Sequence, residues 1–270
     1  MPALYERDGE FVVATGYSRG PWDPGACHAG PTAALLAYAI ENDHPADMVA
    51  TRLTVRVNRP VPVGRRLSLR TAMNRPGKKV QMLSAHLADE TGTEVAAADM
   101  VRVRTADIAL PTERLDLEGR RDWHAFDNSR PSPPSAFRLE GMTMFHIDAA
   151  EYRFSAGSWT EPGPASVWIR ITADLFDGVE LTPLGRVVAA CDFANGVASS
   201  LLRGEFRYMN TDLTAYLMRR PVGEWIALDA EVFTEGIGAG MSDSALYDIA
   251  GRLGRSNQGL FVEGPSSLEH

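Results

Sequence analysis

The chain has 270 residues, 44% hydrophobic and 23% charged, an ordinary globular composition that supplies a sizeable core for one or two domains. A formal net charge of -8 and a pI near 5.3 exclude a general nucleic-acid binder, which carries a basic domain. Only Cys27 and Cys191 occur, so no disulfide framework is implied, and a reducing, cytoplasmic setting is expected.

No apolar run reaches the about 18 residues that a membrane span requires. The opening MPALYERDGE lacks the apolar core of a signal segment. In chain order, GEFVVATGY reads as a short strand, and PTAALLAYAIE, Pro31 to Glu41, as a helix with proline in its first turn. TRLTVRVNR, RRLSLRTAM and KVQMLSAHLAD alternate apolar and polar residues between Gly/Pro punctuation, as antiparallel strands do. TGTEVAAADMVRV closes this series. Residues 116–137, rich in Pro, Ser and charge, read as a linker. EYRFSAG and SVWIRITADL are short strands. PLGRVVAACDFA, Pro183 to Ala194, is a second helix, with Thr182 as its N-cap and Gly196 as its stop. NTDLTAYLMRR, EWIALDAEVFTEG and DSALYDIAGRLGRSNQGLFVE are again extended. The final Leu268 to His270 resembles the start of an expression tag.

This order occurs twice. LTVRVNRPVPVG at Leu53 resembles LTAYLMRRPVG at Leu213. TGTEVAAADMVRV at Thr91 resembles AGRLGRSNQGLFV at Ala250. The offsets are 160 and 159 residues. A duplication follows, with expected domains at residues 1–115 and 138–265, a linker at 116–137 and a tail at 266–270. One helix against an antiparallel sheet, done twice, is α+β.

Asp192 stands out. The positions Leu184, Val187, Val188, Cys191, Asp192 and Asn195 share one helix face, so the carboxylate points toward the core. An isolated buried carboxylate is costly unless paired. One explanation is catalysis, and the other is a structural hydrogen bond to a neighbouring strand. Counting from each helix proline, Asp192 matches Ile40, and Gln258 aligns with Asp99. The two copies are therefore alike in fold and unlike in chemistry, and one working site per chain is expected.

The element order, the duplication, the helix entrance DPGACHAGPTAALLAYA at Asp23 and the strand-end VNRPVPVG resemble the double hotdog acyl-CoA thioesterases, the thioesterase II-like group. The resemblance covers about residues 10–263. It implies two tandem hotdog domains, each a curved antiparallel sheet wrapped around one central helix. It also implies acyl-CoA hydrolysis to free acid and coenzyme A, without cofactor, in a homo-oligomer. The family's catalytic set, carried over by position, becomes Asp192, Thr211 and Gln258. Strand parity with Leu213, Ala215 and Leu217 puts the Thr211 hydroxyl on the apolar face, and Gln258 shares parity with Leu260 and Val262. Together the three would hold and deprotonate one water. The helix entrance reads His28-Ala29-Gly30-Pro31 where the family has Gly-Gly-Gln, and it assigns substrate binding to His28 and Gly30. A catalytically silent acyl-CoA binder is the main alternative. A hotdog enoyl-CoA hydratase is a weaker one, since no D-x-N-P-x-H stretch occurs.

From Arg52 to Lys79 nine basic residues occur without an acid. Arg75, Lys78 and Lys79, in a turn, are candidates for the coenzyme A phosphates. The alternative is a solvated sheet face paired with acids elsewhere. GYSRG at Gly16 matches G-x-S-x-G but lacks the strand–turn–helix context of a nucleophile elbow. GIGAGM at Gly236 reads as a bend. His28, His44, His86, His124 and His146 are scattered, so no metal site is expected. Cys27 reads as a small filler.

Overall fold

The computed structural model describes residues 2–109, 126–134, 138–201 and 206–264. The first half contains β1 (Tyr5–Asp8), β2 (Phe11–Ala14), α1 (Ala29–Asp43), β3 (Met48–Val57), β4 (Arg66–Arg75), β5 (Val80–Ala88) and β6 (Glu94–Arg104). The second contains β7 (Arg130–Ser132), α2 (Phe145–Asp148), β8 (Ala150–Ala156), β9 (Ala165–Ile171), α3 (Pro183–Cys191) and α4 (Ala194–Val197). It ends with β10 (Arg207–Asn210), β11 (Asp212–Leu217), β12 (Trp225–Glu235), β13 (Ala239–Asp248) and β14 (Gly251–Glu263).

All strands join one antiparallel sheet in the order β1-β2-β4-β5-β6-β3-β11-β14-β13-β12-β9-β8-β7, with β10 paired to β14. Reading outward from the β3–β11 seam, the two halves repeat the same strand order. The seam carries the sequence offset in its register: Leu213 pairs with Val55, Thr214 with Thr54 and Ala215 with Leu53. Across it the Thr214 hydroxyl donates to the hydroxyl of Thr54, its equivalent in the repeat, at 3.1 Å. A pseudo-two-fold axis passes there. The last strands shift the correspondence. Thr54 pairs with Asp99 and Thr214 with Asn257, so Asp99 corresponds to Asn257. Gln258 corresponds to Met100, not to Asp99. In the second half an amide therefore stands where the first half buries a thioether.

The helices lie against each other and against the inner sheet face. α1 contacts β3–β6, while α3 contacts β9, β11 and β12. Nearly every residue of α1 from Gly30 to Ile40 is buried, so this helix is apolar all round and sits inside the molecule. It starts at Ala29, ahead of Pro31, which occupies the first turn without loss because its missing N–H would have no helical partner. α3 is capped as expected: the Thr182 hydroxyl accepts from the Gly185 N–H at 3.0 Å. It ends sooner than expected, at Cys191. Asp192 and Phe193 form a turn before α4, and Gly196 lies within α4 rather than stopping α3.

The described part of the expected linker, residues 126–134, carries a short 3-10 turn and the edge strand β7, which pairs with β8. Residues 116–125, 135–137 and the tail 266–270 lie outside the described residues. GYSRG forms a 3-10 turn whose Ser18 is buried and donates to the Leu4 carbonyl at 2.7 Å, so it presents no nucleophile. Gly236 to Gly238 make the β12–β13 turn, with φ +80° at Gly238. Among the described residues no helix is long and apolar enough to cross a membrane, and no group of three or more His, Cys, Asp or Glu is placed to hold a metal ion.

Gly254 allows β14 to lie against β11. A Cβ there would overlap the Tyr216 carbonyl oxygen, a backbone atom that cannot turn aside. Gly254→Ala is expected to destabilise the protein by about 1–3 kcal/mol or more, read as a lower urea midpoint with an unchanged slope.

Candidate active site

The site forms where α3 ends and α1 begins. The first N–H groups of a helix have no partner within it, and anions are favoured there. His28, the N-cap residue of α1, supplies no side-chain cap to its own helix. Asp192 supplies one from the other half of the chain: its Oδ2 accepts from the Gly30 N–H. The same oxygen accepts from His28 Nδ1, and Oδ1 accepts from the Asn210 side-chain amide. Three donors therefore surround a carboxylate that is only 1% exposed. Charge-assisted hydrogen bonds of this kind offset the cost of burying the charge. Asp192 is thus buried as expected, at the end of α3 rather than within it.

The approach depends on Gly30. A Cβ at that position would lie 2.8 Å from the Ala189 carbonyl oxygen and 3.2 Å from Asp192 Oδ2. His28 is fixed through its backbone and its ring. Its N–H donates to the Ser18 carbonyl at 2.8 Å, and the Cys27 N–H donates to the Val61 carbonyl at 2.8 Å. The imidazole centroid lies 5.3 Å from both Phe145 and Phe193, which stack on each other at 5.3 Å and 19°.

The other two members of the expected set are placed differently. Thr211 is exposed, and its hydroxyl donates to the Gly259 carbonyl at 3.2 Å and to Asp212 at 3.3 Å, away from the carboxylate. A bend at Thr211 separates β10 from β11, so alternation restarts and Asn210 turns inward instead. Counting parity back from Leu213 through this bend misplaces Thr211 by one residue. An Asn-Thr-Asp run inside a strand is a turn-type signal that marks such an interruption. Gln258 is buried, as expected, but its amide donates to the Cys191 carbonyl at 3.1 Å rather than to Asp192. It thereby satisfies one of the last carbonyls of α3. Its Oε1 is buried without a partner.

The pair His28–Asp192 lies in the wall of a cavity of about 440 Å³ between the two halves. Its lining is mostly apolar, with aromatic surface from Trp22, Trp159, Phe193, Phe206 and Tyr208, and Val57 to Pro60 close one side. Cys27 lines it too, but burial pushes its thiol pKa up, and the buried Cys191 is pushed up to about 12. Both stay protonated at neutral pH, so neither offers a thiolate nucleophile.

Arg75, Lys78 and Lys79 are exposed, and they lie at the wrong end of the sheet for this cavity. Val80 pairs with Val103 and Met48 with Arg104, which puts their turn at the Met48 end of β3. Val57 is at the other end, nine residues on, or about 30 Å at the usual strand rise. Much of the basic stretch is a salt-bridged sheet face: Arg56 pairs with Asp99 at 2.6 Å and Arg66 with Asp8 at 2.6 Å. Arg59 differs. It is exposed and lines the cavity, and, after the Thr91 hydrogen bond, its charge also helps to lower the Asp89 pKa.

The pseudo-symmetric junction, where α1 ends and α3 begins, is built otherwise. Ile40 is fully buried there, and the adjacent Glu41 accepts from the Thr182 hydroxyl at 2.6 Å. Burial raises the Glu41 pKa, and the Thr182 hydrogen bond limits the rise. No histidine joins this contact.

Residues 18–103 match the acyl-CoA thioesterase N-terminal domain, and residues 116–262 match the C-terminal domain. The chain belongs to the acyl-CoA thioesterase family. Its fold is that of tandem hotdog domains. A putative thioesterase from Novosphingobium aromaticivorans superimposes with a TM-score of 0.69 at 16% identity, covering 97% of this chain and 99% of that one. A hot dog protein of unknown function from Alicyclobacillus acidocaldarius gives 0.72 at 16%, covering 97% and 96%. An acyl-CoA thioesterase II from Mycobacterium marinum gives 0.63 at 13%, covering 97% of each. No curated protein matches the sequence. Within this thioesterase-family fold, Gly30→Ala is expected to push α1 off Asp192. The melting temperature should fall by an amount corresponding to about 1–3 kcal/mol, and any activity dependent on Asp192 should fall with it.

Proposed function

We propose that this protein hydrolyses acyl-CoA thioesters, using water held at the His28–Asp192 pair. The observation that carries this is a buried carboxylate–imidazole pair in the wall of an apolar cavity, on a thioesterase-family fold. The aromatic wall suits the acyl group, since apolar surface favours apolar ligand. The Ala29 N–H, at the open end of α1 and in the cavity wall, is the donor for the thioester oxygen as negative charge develops on it. Thiolate is a competent leaving group, so water attack needs no covalent enzyme intermediate. Arg59, at the cavity rim, is the cation for the coenzyme A phosphates in place of the Arg75–Lys79 turn. Asn210 takes the position beside Asp192 that the sequence assigned to Thr211.

The test is thiol release from short, medium, long-chain and aromatic acyl-CoAs. Asp192→Asn is expected to lower kcat/KM by about 10²–10⁴-fold while binding, followed by calorimetry, persists. Wild-type binding without turnover would mark a silent acyl-CoA binder, and full turnover in Asp192→Asn would remove this site from the chemistry. Arg59→Ala is expected to raise KM for acyl-CoA several-fold at low salt. It should leave hydrolysis of the matching acyl-N-acetylcysteamine, which lacks the phosphates, unchanged.

A further inference from the structure

We propose that His28 is the proton acceptor of this site and that Asp192 is a positioning residue acting through it. The proposal rests on the thioester-hydrolysis reading above and assigns the roles within it. The carboxylate is poorly placed to take a proton from water itself. Oδ2 already accepts from His28 Nδ1 and the Gly30 N–H, Oδ1 accepts from the Asn210 amide, and the residue, although it borders the cavity, is only 1% exposed. Each of these donors takes up a lone pair that an incoming proton would need. The imidazole has the complementary arrangement. A carboxylate accepting at Nδ1 fixes the proton on that nitrogen, which leaves the lone pair on Nε2. The side chain is 14% exposed, lines the cavity, and its Nε2 makes no hydrogen bond among the described residues. Phe145 and Phe193 hold the ring plane, and the Ser18 carbonyl holds the backbone. These are the features of a preorganised base: an orienting acid behind it, a locked ring, and a free nitrogen toward the substrate space.

The step balances without a co-reactant. Nε2 takes a proton from water as the water oxygen bonds to the thioester carbonyl carbon. The tetrahedral intermediate collapses with cleavage of the carbon–sulfur bond. The thiolate leaves with the proton returned by Nε2, giving acid and thiol. Asp192 stabilises the imidazolium between these events and is not itself protonated.

The test separates proton transfer from simple structural support. His28→Asn keeps a side-chain N–H for Asp192 and removes Nε2, so a structural role would survive it and a basic role would not. Thiol release is expected to drop by about 10²–10⁴-fold, with the melting temperature close to wild type. In His28→Ala, added imidazole is expected to restore turnover at least tenfold. The proposal is overturned by a His28→Asn protein that retains turnover within about threefold of wild type while Asp192→Asn has lost it. That outcome gives the base to the carboxylate and leaves the hydrolysis reading standing. Absence of thiol release from wild type defeats the hydrolysis reading itself. Should neither His28 variant fold, chemical modification of the wild type decides: thiol release that survives complete carbethoxylation of His28, verified by mass spectrometry, overturns the assignment.

Discussion

A single carboxylate group closes the inner end of this molecule. Asp192 stands at the negative end of α3 and at the positive end of α1, so the field of its own helix opposes its charge and that of the other helix favours it. The contact is made because α1 arrives uncapped and without a side chain at Gly30. Helix capping is usually local, within a few residues of sequence. Here it runs between residues 162 apart in sequence. The packing of the two halves, the capping of the central helix and the orientation of His28 are consequently one interaction, and none can be altered without the others.

The two halves share a backbone plan and divide the chemistry unequally. α3 is capped by its own Thr182, while α1 borrows its cap. Where the first half buries Ile40 and Met100, the second places Asp192 and Gln258. The second half buries further polar groups as well. Ser242, Ser244 and Ser256 lie buried on β13 and β14 beside Gln258, in positions set by the register of those two strands. The counterpart contact joins the Glu41 carboxylate to the hydroxyl of Thr182, the N-cap of α3, and so ties the helices together through a side chain rather than through a backbone N–H and an imidazole.

Much of this was legible in the sequence. The offset of 160 residues reappears as the pairing of Thr54 with Thr214, because a strand pair straddling a pseudo-two-fold axis must match equivalent residues. Asp192 was identifiable because a charge on an apolar helix face demands an explanation, and helical periodicity is a local property. Thr211 was misplaced because alternation was counted through a bend, and one extra residue reverses every side chain beyond it. The basic turn at Arg75 was misjudged for a different reason. Charge density is visible along a chain, but which end of a sheet it occupies depends on pairing between distant strands. The partnership of His28 with Asp192 involves two helix ends in different halves, and no local pattern reports it.

The hydroxyl-to-hydroxyl contact at the centre of the sheet has an implication for descent. In a symmetric dimer of identical subunits, any residue placed at one helix junction appears at both. Once both copies lie on one polypeptide, each junction can change by itself. A carboxylate then stands at each junction, Asp192 at one and Glu41 at the other, while only the first also holds an imidazole. The continuous sheet across Thr54 and Thr214 keeps the two copies equivalent in strand order, while the helix junctions on its inner face are free to differ.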